Sequence, residues 1–326
     1  MYTKTRAWVG AAALCLLPAI PMAEELSFAH FVPPGHTITE AVITPFAEGI
    51  GGASDDALTV RVYPGGELGA GPLEQYVRVV QGVADIGWGL QGYTSSQFPK
   101  TMVAELPAVF GAGEPGYPGI WRAMDLIGQE YPGVKPLALW TSEPNIFIMK
   151  GHTIRRPEDV RGLKLRVSGA AAAEVIAALG ATPVQMPANE MYNALQTGLI
   201  DGIITGSSAV SDFKLDEVAD SYTLGAPLGR ITFFVVMNQR RYDGLSAEER
   251  AAIDESSGAW LSQKAEAGWI ATAERTIAAL KASPDEAVTE LSPQEAAAFE
   301  ALTFPVTERL VEAAGAADVL AAMKGE

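Results

Sequence analysis

Apolar and polar residues alternate along 58-LTVRVYP-64, with Leu58, Val60 and Val62 on one face and Thr59 and Arg61 on the other. Side chains of a strand point alternately to its two faces, so this pattern predicts a strand. The stretch 163-LKLRV-167 repeats it, setting Leu163, Leu165 and Val167 against Lys164 and Arg166. Further strands are predicted at 26-LSFAHFV-32, 83-VADIGWG-89, 182-TPVQM-186 and 199-LIDGIIT-205. Helical stretches separate them: about Thr37 to Gly49, 72-PLEQYVRVVQG-82 with Gly82 as its stop, 170-AAAAEVIAALG-180, and 188-ANEMYNALQTG-198. Strands and helices in alternation predict an α/β protein with mostly parallel sheets, as two units, one in each half of the chain.

The two units also resemble each other locally. Tyr76, Gly82 and Asp85 have the same spacing as Tyr192, Gly198 and Asp201. Any helix–Gly–strand junction can look like this; alternatively, two related lobes face one cleft, where α/β pairs bind ligands beyond the carboxyl ends of their strands. From the capping-box sequence Ser246-Ala247-Glu248-Glu249 to Ser283 there is no proline. One helix there would span roughly 50 Å and could brace both lobes. A break at Gly258 or Gly268 would give two helices instead. Further helix is expected over 293–315, interrupted at Pro305.

Composition adds compartment and partner. The 326 residues suffice for two domains. Residues 1–23 have the form of an export signal: Lys4 and Arg6, an apolar run from Trp8 to Ile20, then Pro21-Met22-Ala23. That run is too short for an ordinary membrane span, and no later segment supplies one. Cys15, the only cysteine, would leave with the signal. The mature chain then has no disulfide, cysteine nucleophile or cysteine metal site. It keeps 21 basic and 39 acidic residues, a net charge of −18. Such a chain suits a soluble exported protein and argues against nucleic acid or anionic membrane surfaces as partners.

The motifs of common catalysts are missing: there is no HExxH, GxSxG, phosphate-binding or calcium-loop pattern. His30 and His36 flank a Pro-Pro-Gly loop, where His36 reads as a helix-start or loop-packing residue rather than half of a metal pair. Asp85 and Asp201, each just after a helix-ending glycine, read as structural rather than as paired acids. No nucleophile with its base is identifiable, and no cofactor is expected. Arg166, at the end of a strand, faces either water or a ligand.

With these residues laid out, the chain resembles the DctP-like solute-binding proteins of tripartite ATP-independent periplasmic (TRAP) transporters. The resemblance runs through 162-GLKLRV-167, Leu179-Gly180-Ala181, Pro183-Val184 and 192-YNALQTGLIDG-202, with support from 63-YPGGELG-69, 106-LPAVF-110 and 157-PEDVRG-162. It implies a two-lobed periplasmic-binding-protein fold, with a ligand cleft between the lobes and a long bracing helix. The lobes would be discontinuous: 24–143 with 231–270 as lobe I, and 144–230 with 271–326 as lobe II. It also implies a receptor, not an enzyme, that closes on a small organic acid and delivers it to a two-part TRAP permease in the inner membrane, without itself entering the membrane.

The arginine of the GLKLRV segment, which grips the ligand carboxylate in the family, corresponds to Arg166. Arg61 shares the local sequence without the family role. Two departures bear on the ligand. The stretch 138-ALWTSEPNIFIMK-150 lacks a second arginine that many relatives carry, and Thr205 followed by Gly206-Ser207-Ser208 stands where many have Asn. Both weaken a dicarboxylate and favour a monocarboxylate in an apolar or aromatic pocket. The expected ligand-binding residues are Arg166, Trp88, Phe147, Thr205, Phe234, Trp140, Ser208, Glu67 and Tyr93. The aromatic ones serve equally as core. If the ligand were instead cationic or neutral, Glu67 or Glu143 would supply the counter-charge. A periplasmic sensor for a signalling partner and a secreted enzyme on the same fold remain the alternatives.

Overall fold

The computed structural model describes residues 23–69, 71–111 and 113–326. The expected signal, residues 1–22 of it, and Cys15 lie outside the described residues. Eleven strands follow: β1 (Glu24–Ala29), β2 (Leu58–Tyr63), β3 (Ile86–Leu90), β4 (Val134–Thr141), β5 (Asn145–Met149), β6 (Lys164–Val167), β7 (Thr182–Gln185), β8 (Gly202–Gly206), β9 (Ser221–Leu224), β10 (Thr232–Asn238) and β11 (Ala287–Glu290). They form two sheets, in the orders β2-β1-β3-β10-β4 and β11-β9-β5-β8-β6-β7. Neighbours β1, β2 and β3 run parallel, as do β6, β7 and β8. In contrast, β10 is antiparallel to β3 and β4, and β5 to β8 and β9. The central strands β3, β5, β8 and β10 are buried at every residue. Continuous burial explains why these read as unbroken apolar runs while β2 alternates.

Each sheet builds one lobe, and each lobe takes chain from both halves of the sequence. The lobes are joined where β4 runs into β5 and where residues 225–231 run into β10. These two crossings hydrogen-bond to each other: the Ser142 N–H donates to the Ile231 carbonyl at 2.7 Å, and the Asn145 N–H to the Gly229 carbonyl at 2.9 Å. A third link is the Gly258–Ala282 helix, 25 residues and so about 37 Å long. The helical stretch after Ser246 breaks at Gly258, whose φ of +69° favours glycine, and continues through Gly268. Ser246 and Glu249 form the expected capping box on the short Ala247–Glu255 helix.

Glu266 fixes the long helix to the first lobe. Its carboxylate accepts from the Gly116 and Tyr117 N–H groups at 2.6 and 2.8 Å and pairs with buried Arg230 at 3.5 Å. The helix expected over 293–315 with an interruption at Pro305 runs without one from Pro293 to Ala313, with Pro305 inside it. It carries Phe299 into the second-lobe core and Val311 into the first-lobe core. The last helix, Ala317–Lys324, belongs to the 271–326 span expected in lobe II but packs in the first lobe. Val319 and Met323 are buried there, and Arg122 holds the Ala322 and Met323 carbonyls.

Candidate functional site

A small cavity lies between the lobes, beyond the carboxyl ends of β3, β6 and β8. Measured for the centre of a water molecule, its volume is about 40 Å³. Hydrogen bonds cross between the lobes around it, from the Ala188 N–H to the Tyr93 hydroxyl and from the Thr37 hydroxyl to Asp212, so the lobes are closed on each other.

One wall is aromatic. Phe31 stacks on Trp88 at 4.9 Å and 12°, Trp88 on Phe233 at 5.8 Å, and Phe233 meets Trp269 of the long helix at 5.1 Å. Strand alternation delivers these rings: Trp88 and Leu90 share a face of β3, and Phe233 pairs with Leu90 in register.

The second lobe supplies the opposite wall. Arg166 stands on β6 between β7 and β8 and is 1% exposed, whereas Lys164 on the same strand is exposed. Arg166 Nε donates to the Met186 carbonyl at 3.0 Å. Its Nη2 lines a buried space with no hydrogen-bond partner, and the same holds for Trp88 Nε1. Burial lowers the pKa of Arg166, and the Tyr93 hydroxyl beside it opposes that. Tyr93 comes from the first lobe, and its hydroxyl accepts from the Ala188 N–H of the second at 2.8 Å. Burial pushes the Tyr93 phenol up, and Arg166 works against it. A guanidinium without an acid partner in a buried, aromatic-walled space can do one thing well: bind a carboxylate through parallel N–H donors.

Of the residues expected at the site, Arg166, Trp88, Thr205 and Ser208 line this cavity, and Tyr93 touches Arg166. Four others do not line it. Phe147 packs on Phe299 at 5.8 Å in the second-lobe core. Phe234 points to the far face of its sheet, over Gly89 and against Tyr76 at 5.8 Å. Trp140 lies one layer behind the wall, 5.3 Å from both Phe233 and Trp269. Glu67 is exposed in the Gly65–Leu68 turn. Glu143, the other candidate counter-charge, is buried behind Gly206 and accepts from the Ser208 N–H at 2.7 Å; burial pushes its pKa to about 7. Arg61, the local look-alike of Arg166, is a surface residue paired with Glu25 at 3.6 Å.

Sequence reasoning missed Phe31, His36, Asp212, Phe213, Phe233 and Trp269, all of which line the cavity. His36 had a usable signal, since its loop leaves the carboxyl end of β1, where ligands collect in α/β sheets. Asp85 and Asp201 have structural roles: Asp85 accepts from the Ser27 N–H and hydroxyl at 2.8 and 2.7 Å, and Asp201 from the Lys164 N–H at 2.7 Å. Among the described residues no cluster of metal-ligating side chains occurs, and no helix is long and apolar enough to cross a membrane.

Comparison with known proteins agrees with this architecture. Residues 28–313 match the DctP model, described as bacterial extracellular solute-binding protein, family 7. The chain is 30% identical over 329 residues to the C4-dicarboxylate-binding periplasmic protein DctP of Rhodobacter capsulatus, covering 98% of this chain and 96% of the relative. It superposes with a TM-score of 0.85 on a TRAP solute-binding protein from Rhodoferax ferrireducens solved with copurified benzoate, at 26% identity, covering 93% of this chain and 97% of that one. A Bordetella bronchiseptica TRAP solute-binding protein with bound (R)- and (S)-mandelate gives a TM-score of 0.85 at 25% identity, covering 93% and 98%. The two-lobed α/β chain with its interlobe cavity therefore belongs to the DctP family, the periplasmic solute-binding receptors of TRAP transporters.

Proposed function

We propose that this receptor binds a small aromatic monocarboxylate, holds its carboxylate on Arg166 and its ring against Trp88 and Phe233, and hands it to a two-part TRAP permease. The observation that carries the reading is Arg166 itself: 1% exposed, with a donor nitrogen unpartnered, opposite a wall of aromatic rings. Arg166 is the one lysine or arginine among the described residues lining the cavity, and Asp212 lines it too. A second ligand carboxylate would find no second cation in that lining, which disfavours a dicarboxylate. The related proteins solved with benzoate and mandelate support the same class. The receptor acts in the periplasm, after signal cleavage, by binding and lobe closure, which shifts an open–closed equilibrium, and passes its ligand on chemically unchanged.

Calorimetric titration with benzoate, mandelate and succinate tests this. Saturable binding of the aromatic acids but not succinate is expected. Arg166→Ala should lose about 2–5 kcal/mol of binding, since a carboxylate would be left buried without its partner. Tight succinate binding, or benzoate binding that survives Arg166→Ala, would refute it.

A further inference from the structure

Two sets of polar groups in the cavity lining differ in how they are satisfied. Arg166 Nη2 and Trp88 Nε1 are buried donors without partners. Asp212 and His36 are instead satisfied by each other and by the opposite lobe. Asp212 ends the Ser208–Asp212 helix of the second lobe, and one of its oxygens accepts from the Thr37 N–H at 3.1 Å and the Thr37 hydroxyl at 3.0 Å, both in the first lobe. The other oxygen lies 3.4 Å from His36 Nε2, also in the first lobe. His36 Nδ1 accepts from the Ile38 N–H at 3.1 Å, so the ring proton sits on Nε2, facing the carboxylate. Burial holds the His36 pKa near 3, which keeps the ring neutral, and Asp212, at about 6, is ionised at neutral pH.

The long helix joins the same cluster from both sides. Thr272 Oγ1 is hydrogen-bonded to Thr37 Oγ1 at 3.2 Å, and Arg275 donates to Thr272 at 2.9 Å. One turn on, Thr276 bonds Ser211 of the second lobe at 3.0 Å. The titratable and charged groups facing Asp212 are the neutral His36, Arg275 and, more distantly, Glu143.

Every bond from the Asp212 carboxylate given above runs to the first lobe, so those bonds form only when the cleft shuts. We infer that Asp212, with Thr37 and His36, is a closing clasp: a positioning group that stabilises the shut form without contacting the solute. The inference rests on the cavity being the solute site. A ligand contact changes the preference among ligands. A clasp changes only the fraction of receptor that is shut, which scales every affinity alike.

The test places spin labels at Gly35→Cys and Asp216→Cys, exposed positions on the two lobes, in a Cys15→Ser background at pH 7.5. Gly35 has open space for the new side chain. Asp212→Ala is expected to lose short separations, in favour of long ones, with or without benzoate. Its affinities for benzoate and mandelate should fall by one common factor, roughly tenfold. Thr37→Val, a milder change, should move the separations the same way by less, and it serves if Asp212→Ala does not fold. Identical separation distributions in wild type and variants overturn the clasp. So does a loss for one acid several times larger than for the other, which would make Asp212 a ligand contact. If the wild type binds neither acid, the ligand assignment fails while the ligand-free separations still decide the clasp.

Discussion

Glu105 illustrates how far a single side chain can be removed from its ordinary chemistry. It is 4% exposed and spends one oxygen on the Thr232 N–H and hydroxyl, at 3.0 and 2.9 Å, while the other has no partner. Burial pushes its pKa to about 7, against the pull of those Thr232 bonds. The folded protein thus holds this proton over a range where the unfolded chain, with its carboxyl near 4.5, has released it. Stability supplied by the group is present below about pH 4.5 and is lost as pH rises through about 7. Glu105→Gln has no proton to lose. Between pH 5 and pH 8 the variant should gain on the wild type in denaturant-determined stability, by on the order of 3 kcal/mol. A constant difference between the two across that range would contradict the account. None of this was legible beforehand, because burial of an acid within 106-LPAVF-110's approach leaves no mark in composition or periodicity. Alternation marked the Arg166 position but left it facing water or a ligand, and only the family resemblance chose between them; Arg61, with the same pattern, lies on the surface, so burial is decided by what packs over the strand.

At the scale of the element, β10 decides which aromatics meet the cavity. A strand's faces alternate, so Phe233 and Phe234 cannot serve the same role. Phe233 looks onto Trp88 and Trp269, and Phe234 fills the opposite core with Tyr76 and Phe98. Phe234→Ala should cost about 3–5 kcal/mol of stability, as cavities in packed cores do. Phe233→Ala should chiefly weaken benzoate binding, and equal losses of stability and of affinity in both variants would undo the assignment. The sequence offered Phe-Phe inside the apolar run 233–237, which carries no polar face to mark inside from outside. The same ambiguity misplaced Phe147. Elements with polar punctuation read well: β2, β6 and the Ala170–Ala178 helix lie within a residue or two of their expected bounds. The long helix broke at one of its two glycines, and sequence could not choose between them. Gly258 takes a left-handed turn, while Gly268 stays helical, and that difference is set by packing rather than by residue type.

For the whole molecule, closure brings backbone against backbone. A Cβ built on Gly169 of the second lobe would stand 2.6 Å from the Gly92 carbonyl oxygen and 2.8 Å from its Cα in the first. Gly169 has φ −163°, extended backbone that alanine adopts freely, so the clash exists only between shut lobes. Gly169→Ala should therefore leave the unfolding free energy within about 1 kcal/mol, as a change of residue at a helix start does. It should nonetheless weaken benzoate binding at least roughly tenfold, by taxing the binding-competent population. Paired denaturation and calorimetric titration check it; unchanged affinity would mean the lobes need not approach this closely. The two-lobe plan was foreseeable from the repeated strand–helix pattern and the family resemblance. The approach of Gly92 to Gly169 was not, since it depends on how the lobes meet.

The interleaving of the chain between lobes has a further bearing, on descent. First-lobe cavity residues come from two distant stretches, Phe31 to Leu90 and Ile231 to Trp269, with Ser142 on a crossing between the lobes, whereas those of the second lobe, from Arg166 to Phe213, lie in one. A single recombination point anywhere in the middle of the gene would join mismatched walls. A double exchange that replaces only residues 144–230 would import a whole opposing wall, with its arginine, while keeping the aromatic one. Diversification of solute preference among such receptors is thereby open to cassette transfer of that internal block, and hybrids built on its two boundaries are the ones in which a new preference should arise intact.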